Sequence, residues 1–204
     1  MAKVIPLDST KPSKLGYKRA KKRKTREPEN EGQLNLFLQP EAKVIPLPSR
    51  FTPFEEALWL DEIGNPGAQE AYLKAIIVGD CVADANCNLG ILETKSGNIV
   101  KAFDYFTKCL QFEPRHLEAH YNLGNLYFEE NDYRLAKLHY EIAAEIDPEF
   151  PNIYFNLALV YAINEEFEDS VSALFKYKSL VSQQEGLKAD NLLSSIQNSL
   201  SGKN

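Results

Sequence analysis

The tripeptide Asn88-Leu89-Gly90 returns as Asn122-Leu123-Gly124 and again as Asn156-Leu157-Ala158, each copy 34 residues after the last. Self-similar units of roughly 20 to 50 residues cannot bury a hydrophobic face singly and must stack on one another. The same step aligns three further columns: Ala68, Ala102, Ala136 and Ser170; Tyr72, Phe106, Tyr140 and Leu174; Ala75, Cys109, Ala143 and Tyr177. It also places Pro114 on Pro148. Between these positions apolar residues recur at helical spacing. The pattern breaks at Gly64-Asn65-Pro66-Gly67, Ser96-Gly97-Asn98, Glu130-Asn131-Asp132 and Asn164-Glu165-Glu166, residue types that end helices and make turns. Each period therefore reads as two helices joined by a short turn, in repeats spanning 49–82, 83–116, 117–150 and 151–184.

Leu123-Gly124, Tyr127, Ala136, Tyr140, Ala143 and Pro148 match, in order, the small and aromatic positions of the tetratricopeptide repeat, which this segment resembles. The resemblance implies an all-α, right-handed superhelical solenoid of four helix pairs. Small residues let the two helices of a repeat approach closely, and aromatic ones fill the space where the next repeat stacks. Proline then ends the second helix, which it cannot continue. The end repeats depart from the pattern, with Glu56 at a small position and Leu174, Tyr177 and Ser182 in the last repeat. Residues 185–204 are expected to form a capping helix and C-terminus, with Leu187, Ala189, Leu192, Leu193, Ile196 and Leu200 on its buried face.

Residues 1–48 have a different character. They hold 11 Lys/Arg against 5 Asp/Glu, a net +6, whereas the rest of the chain holds 12 against 24, a net −12. The run Lys18, Arg19, Lys21, Lys22, Arg23 and Lys24, several prolines and little apolar periodicity predict a disordered basic tail. Within it Ala2-Lys3-Val4-Ile5-Pro6-Leu7 recurs letter for letter as residues 42–47. No apolar run approaches the roughly 20 residues that span a bilayer, and the opening residues lack the apolar length of a signal peptide. Cys81, Cys87 and Cys109 have no C-x-x-C spacing and are expected as small core residues, not as a zinc site or disulfide framework. These features point to a cytoplasmic protein without a membrane partner.

In arrays of this family the first helices of the repeats line an inner surface that receives a partner's peptide. On this register the surface includes Asn88, Asn122, Asn125 and Asn156, whose amides both donate and accept, with Tyr121, Phe128 and Phe155 as apolar contacts. The same asparagines serve equally well as packing residues of the repeat. Where chaperone-binding members carry basic clamp residues, this chain has Asp84, Cys87, Glu118 and Tyr121. A basic or mixed apolar peptide is therefore expected, not an acidic chaperone tail. His116 and His120, one turn apart, would hold a metal only if a third ligand converged.

In the tail, Gln33, Leu34, Asn35, Leu36 and Phe37 resemble a bacterial sliding-clamp binding peptide, and the basic run suits nucleic-acid phosphates. There is no Gly-rich phosphate loop, nucleophile elbow or catalytic carboxylate motif, so neither enzyme activity, cofactor nor metal is expected. The reading is a protein-interaction scaffold or adaptor with a peptide-binding groove. The alternative is a DNA- or replication-clamp-associated factor acting through the tail. A third reading has the acidic groove hold the chain's own basic arm.

Overall fold

The computed structural model describes residues 51–201, apart from the side chains of Gln197, Ser199, Leu200 and Ser201. Among these residues the secondary structure is entirely helical. The helices are α1 (Pro53–Glu62), α2 (Ala68–Ile77), α3 (Val82–Lys95), α4 (Ile99–Phe112), α5 (Leu117–Glu129), α6 (Tyr133–Ile146), α7 (Pro151–Ile163), α8 (Phe167–Leu180) and α9 (Gln183–Ser201). They fall into two compact units, one ending at Cys81 and the other beginning at Val82.

The first unit is the pair α1 and α2. Thr52 opens α1 with a capping box: its hydroxyl accepts the Glu55 N–H at 3.3 Å, and the Glu55 carboxylate accepts the Thr52 N–H at 2.9 Å. Pro53 occupies the first turn, where a missing N–H costs nothing. Phe54, Ala57 and Leu58 are buried on α1, and Tyr72 and Ala75 on α2. The Phe54 N–H donates to the Asp80 carboxylate at 2.8 Å, tying the start of the unit to its end.

In the second unit, α3/α4, α5/α6 and α7/α8 are the three paired helices of the 34-residue pattern, and α9 follows them. Every residue of the three aligned columns is buried. The close approach within a pair is set by glycine against an aromatic ring: a Cβ on Gly90 would lie 2.7 Å from Phe106, and one on Gly124 would lie 2.5 Å from Tyr140. In the last pair alanine replaces glycine at Ala158 and the smaller Leu174 replaces the ring; both are fully buried. Ser170, polar at a column of alanines, satisfies its hydroxyl by donating to the Ala158 carbonyl at 2.7 Å.

The turns between paired helices share a backbone device. Gly97, Asn131 and Glu165, again 34 residues apart, adopt φ of +78°, +63° and +61°. The residue after each donates its N–H to the carbonyl five positions back, at 2.9, 2.8 and 2.8 Å, closing the helix end as a Schellman turn does. At the other helix ends, Glu113 and Asp147 are extended, each with φ −134°, as the residue before a proline must be.

α9 buries Ala189, Leu192, Leu193 and Ile196 against the same core as Leu174 and Tyr177. Leu187, expected on that face, is 58 % exposed. At 100° per residue it lies nearly opposite Ala189 and Ile196. The Leu200 side chain lies outside the described residues. Cysteine placement also differs from expectation in one case: Cys87 and Cys109 are buried, but Cys81 is exposed, at φ +47° where the first unit ends.

Candidate functional site

α5 and α7 bring Tyr121, Asn125 and Asn156 together in a buried polar network. The Tyr140 hydroxyl donates to the Asn125 Oδ1 at 2.7 Å, and the Asn156 Nδ2 donates to the same oxygen at 3.0 Å and to the Tyr121 hydroxyl at 3.2 Å. Burial pushes the Tyr140 hydroxyl well above its ordinary pKa, so it stays a neutral donor. Turning the Asn156 amide over would set two amide oxygens face to face, so the network fixes its orientation. Two atoms are left over: the Asn125 Nδ2, a donor, and the Asn156 Oδ1, an acceptor, are buried with no partner among the described residues. A buried polar atom without a partner costs about 1–3 kcal/mol.

The other residues assigned to a groove from sequence sit differently. Phe128 and Phe155 are half-buried. Phe128 meets Tyr133 edge-on at 5.5 Å, and Phe155 lies 5.3 Å from Tyr177. Asn122 is buried and donates from its Nδ2 to the Glu118 carbonyl of its own helix at 2.8 Å, while Asn88 is buried on α3. The tail residues Gln33, Leu34, Leu36 and Phe37 and the basic residues Lys18, Arg19, Lys21, Lys22, Arg23 and Lys24 lie outside the described residues.

A second cluster was not assembled from the sequence. The ligand atoms of Cys87 on α3, Cys109 on α4 and His116, which caps α5, lie within 4.8 Å of one another, and all three residues are buried. The His116 Nε2 is 3.3 Å from the Asp84 carboxylate, and its Nδ1 is 3.3 Å from the Glu118 carboxylate. That Nδ1 is also 3.3 Å from the Ala119 N–H, so it either accepts from the backbone or donates to Glu118. Burial opposes charge on His116, but hydrogen bonds to Asp84 and Cys109 overcome it and raise the ring to about 10. The Cys109 thiol is lowered to about 7, chiefly by its hydrogen bond with Cys87 and against burial, with His116 assisting. The Cys87 thiol is raised, first by that same bond and then by burial. His120 does not join this cluster. Its Nε2 is 3.0 Å from the Pro114 carbonyl and its Nδ1 is 3.0 Å from the His139 Nδ1.

A cleft of about 270 Å³ between α7 and α8 is lined by Tyr154, Leu157, Tyr161, Asp169, Ser172, Ala173 and Lys176. Among the described residues no helix is long and apolar enough to cross a membrane.

This geometry is that of a tetratricopeptide-type helical array, and known proteins agree with it. Residues 124–164 match the family model described as TPR repeat. The UDP-N-acetylglucosamine–peptide N-acetylglucosaminyltransferase of Giardia intestinalis is 29 % identical over 115 residues, 56 % of this chain. This chain spans only 7 % of that relative's length. Among solved structures, MamA 41-end from Desulfovibrio magneticus RS-1 superimposes with a TM-score of 0.61 at 22 % identity, covering 71 % of this chain and 81 % of that one. The first TPR of Spaghetti (RPAP3), bound to the HSP90 peptide SRMEEVD, gives 0.54 at 18 % identity, covering 58 % and 93 %. These likenesses show the fold, and the family match places a TPR repeat at residues 124–164.

Proposed function

We propose that this chain is an interaction scaffold that takes a partner peptide on the α5–α7 surface. The observation that supports this reading is the orphaned pair in the asparagine network. One donor and one acceptor, on neighbouring first helices, are the complement of a single peptide group, whose C=O and N–H would complete both. Phe128 lies three residues beyond Asn125 on α5, and Phe155 directly precedes Asn156 on α7. In this reading Asn125 and Asn156 address the peptide main chain, and the aromatic residues select apolar side chains. Asn122 bonds within α5, one of the helices that carry the site, and Asn88 lies on α3, outside it.

The neighbour in complex with SRMEEVD binds an acidic peptide. For this chain we favour a basic or apolar partner, because Asp84 and Glu118 stand where a clamp for an acidic tail would need positive charge. The test is selection of peptides from a displayed library against the full chain, followed by affinities for the wild type and Asn156→Leu. The substitution keeps the branched shape while removing the acceptor, together with the donor to Asn125 and Tyr121, and should weaken a selected peptide by roughly 10- to 100-fold, the worth of a buried hydrogen bond and its orphaned partner. Circular dichroism checks that the helices survive. Unchanged affinity in a folded variant contradicts the assignment, as does tight binding of synthetic SRMEEVD.

A further inference from the structure

We propose that Cys87, Cys109 and His116 bind a zinc ion, with Asp84 as the fourth ligand. Two thiols and an imidazole are the donor set that favours zinc among divalent cations, and four-coordinate N/S sites are its usual structural form. Ligand atoms around tetrahedral zinc lie roughly 3.5–3.8 Å apart, given metal–ligand distances of about 2.0–2.3 Å. The three atoms here already lie within 4.8 Å of one another, so closure needs a contraction of about 1 Å, within the reach of side-chain rotation.

The surroundings fit as well as the donors. Asp84 precedes Cys87 by three residues on α3, so the two share a helix face. Its carboxylate, 3.3 Å from the His116 Nε2 and 27 % exposed, is the one proposed ligand that is not buried and lies beside the three converging atoms. The ring's other nitrogen lies 3.3 Å from the Glu118 carboxylate, whose residue is buried. A proton on Nδ1 donated to Glu118 leaves the Nε2 lone pair for the metal, and such carboxylate partners orient ligating histidines and raise their basicity. Zinc thus selects one of the two hydrogen-bonding choices open to Nδ1. Cys87, Cys109 and His116 come from α3, α4 and the cap of α5, so the ion would lock a helix pair to the start of the next.

The experiment uses the full chain, purified reduced and without chelator. Elemental analysis should find a single equivalent of zinc retained through gel filtration, and added zinc should raise the melting temperature of metal-stripped protein. Cobalt(II) titrated in its place should give thiolate-to-cobalt charge-transfer absorption, a readout that needs no variant. Cys109→Ser and His116→Gln should abolish that band, Glu118→Gln should weaken zinc affinity roughly 10- to 100-fold, and Cys81→Ser should change nothing. The proposal is overturned if reduced wild-type protein gives no cobalt–thiolate band. Zinc held equally by Cys109→Ser also overturns it.

Discussion

Gly124 carries more of the fold than its size suggests. Its missing side chain admits the Tyr140 ring, whose hydroxyl is in turn fixed to Asn125. In an ordinary helix, Gly→Ala is stabilising by about 1 kcal/mol. Here the added methyl would sit 2.5 Å from a ring that cannot swing away without breaking its hydrogen bond, and overpacking costs about 1–3 kcal/mol. Gly124→Ala is therefore expected to lower stability by about 1–2 kcal/mol in urea unfolding; a higher midpoint would contradict this account of the pair. The sequence made this contact legible, because Gly90 and Gly124 recur in step with Phe106 and Tyr140. It did not reveal the orphaned amide atoms. Consensus asparagines at Asn125 and Asn156 look alike in any register, and only side-chain geometry separates a satisfied amide from an unsatisfied one. The cysteine–histidine cluster was hidden for another reason. Cys109 shares a column with Ala75 and Ala143 and so reads as a small packing residue. Its partners lie 22 residues before and 7 after it on other helices, forming no short ligand motif.

At the level of elements, turn positions were readable and helix contacts were less so. The breaks at Gly97, Asn131 and Glu165 marked the left-handed turns directly, although glutamate is an unusual choice at positive φ. The link between α5 and α6 through His120 and His139 was not readable, since His139 is one polar residue on an amphipathic helix and carries no spacing signal for a partner. Donation from the His120 Nε2 to the Pro114 carbonyl leaves its Nδ1 as acceptor, so the His139 Nδ1 carries the proton between the rings. Burial, and then the neighbouring His120, lower His139 to about 4. Tyr127 covers its ring in a stacked contact, 5.4 Å between centroids. Burial also lowers His120, with the charges of His116 and Arg115 adding to the effect. At these two rings the folded state therefore binds fewer protons than the unfolded chain between about pH 6.5 and about pH 4, and their contribution to stability falls as pH falls through that window, opposite in sign to that of the raised His116. His139→Gln should flatten this dependence in denaturation midpoints taken from about pH 7 to about pH 4.5. An unchanged slope would show that the pair does not titrate as described.

Across the whole molecule, the division of labour is the central claim: a helical array recognises a partner through α5 and α7. The opposing charges of residues 1–48 and of the remainder offer the tail as a rival seat of recognition, so the decisive observation must localise contact along the chain. Hydrogen–deuterium exchange of the 204-residue chain, alone and saturated with a selected or captured partner, does this without presupposing the partner's identity. The account predicts slowed exchange within Leu117–Glu129 and Pro151–Ile163, with α9 unaffected. Protection confined to residues 1–50, with α5 and α7 unchanged, would contradict it and move recognition to the tail.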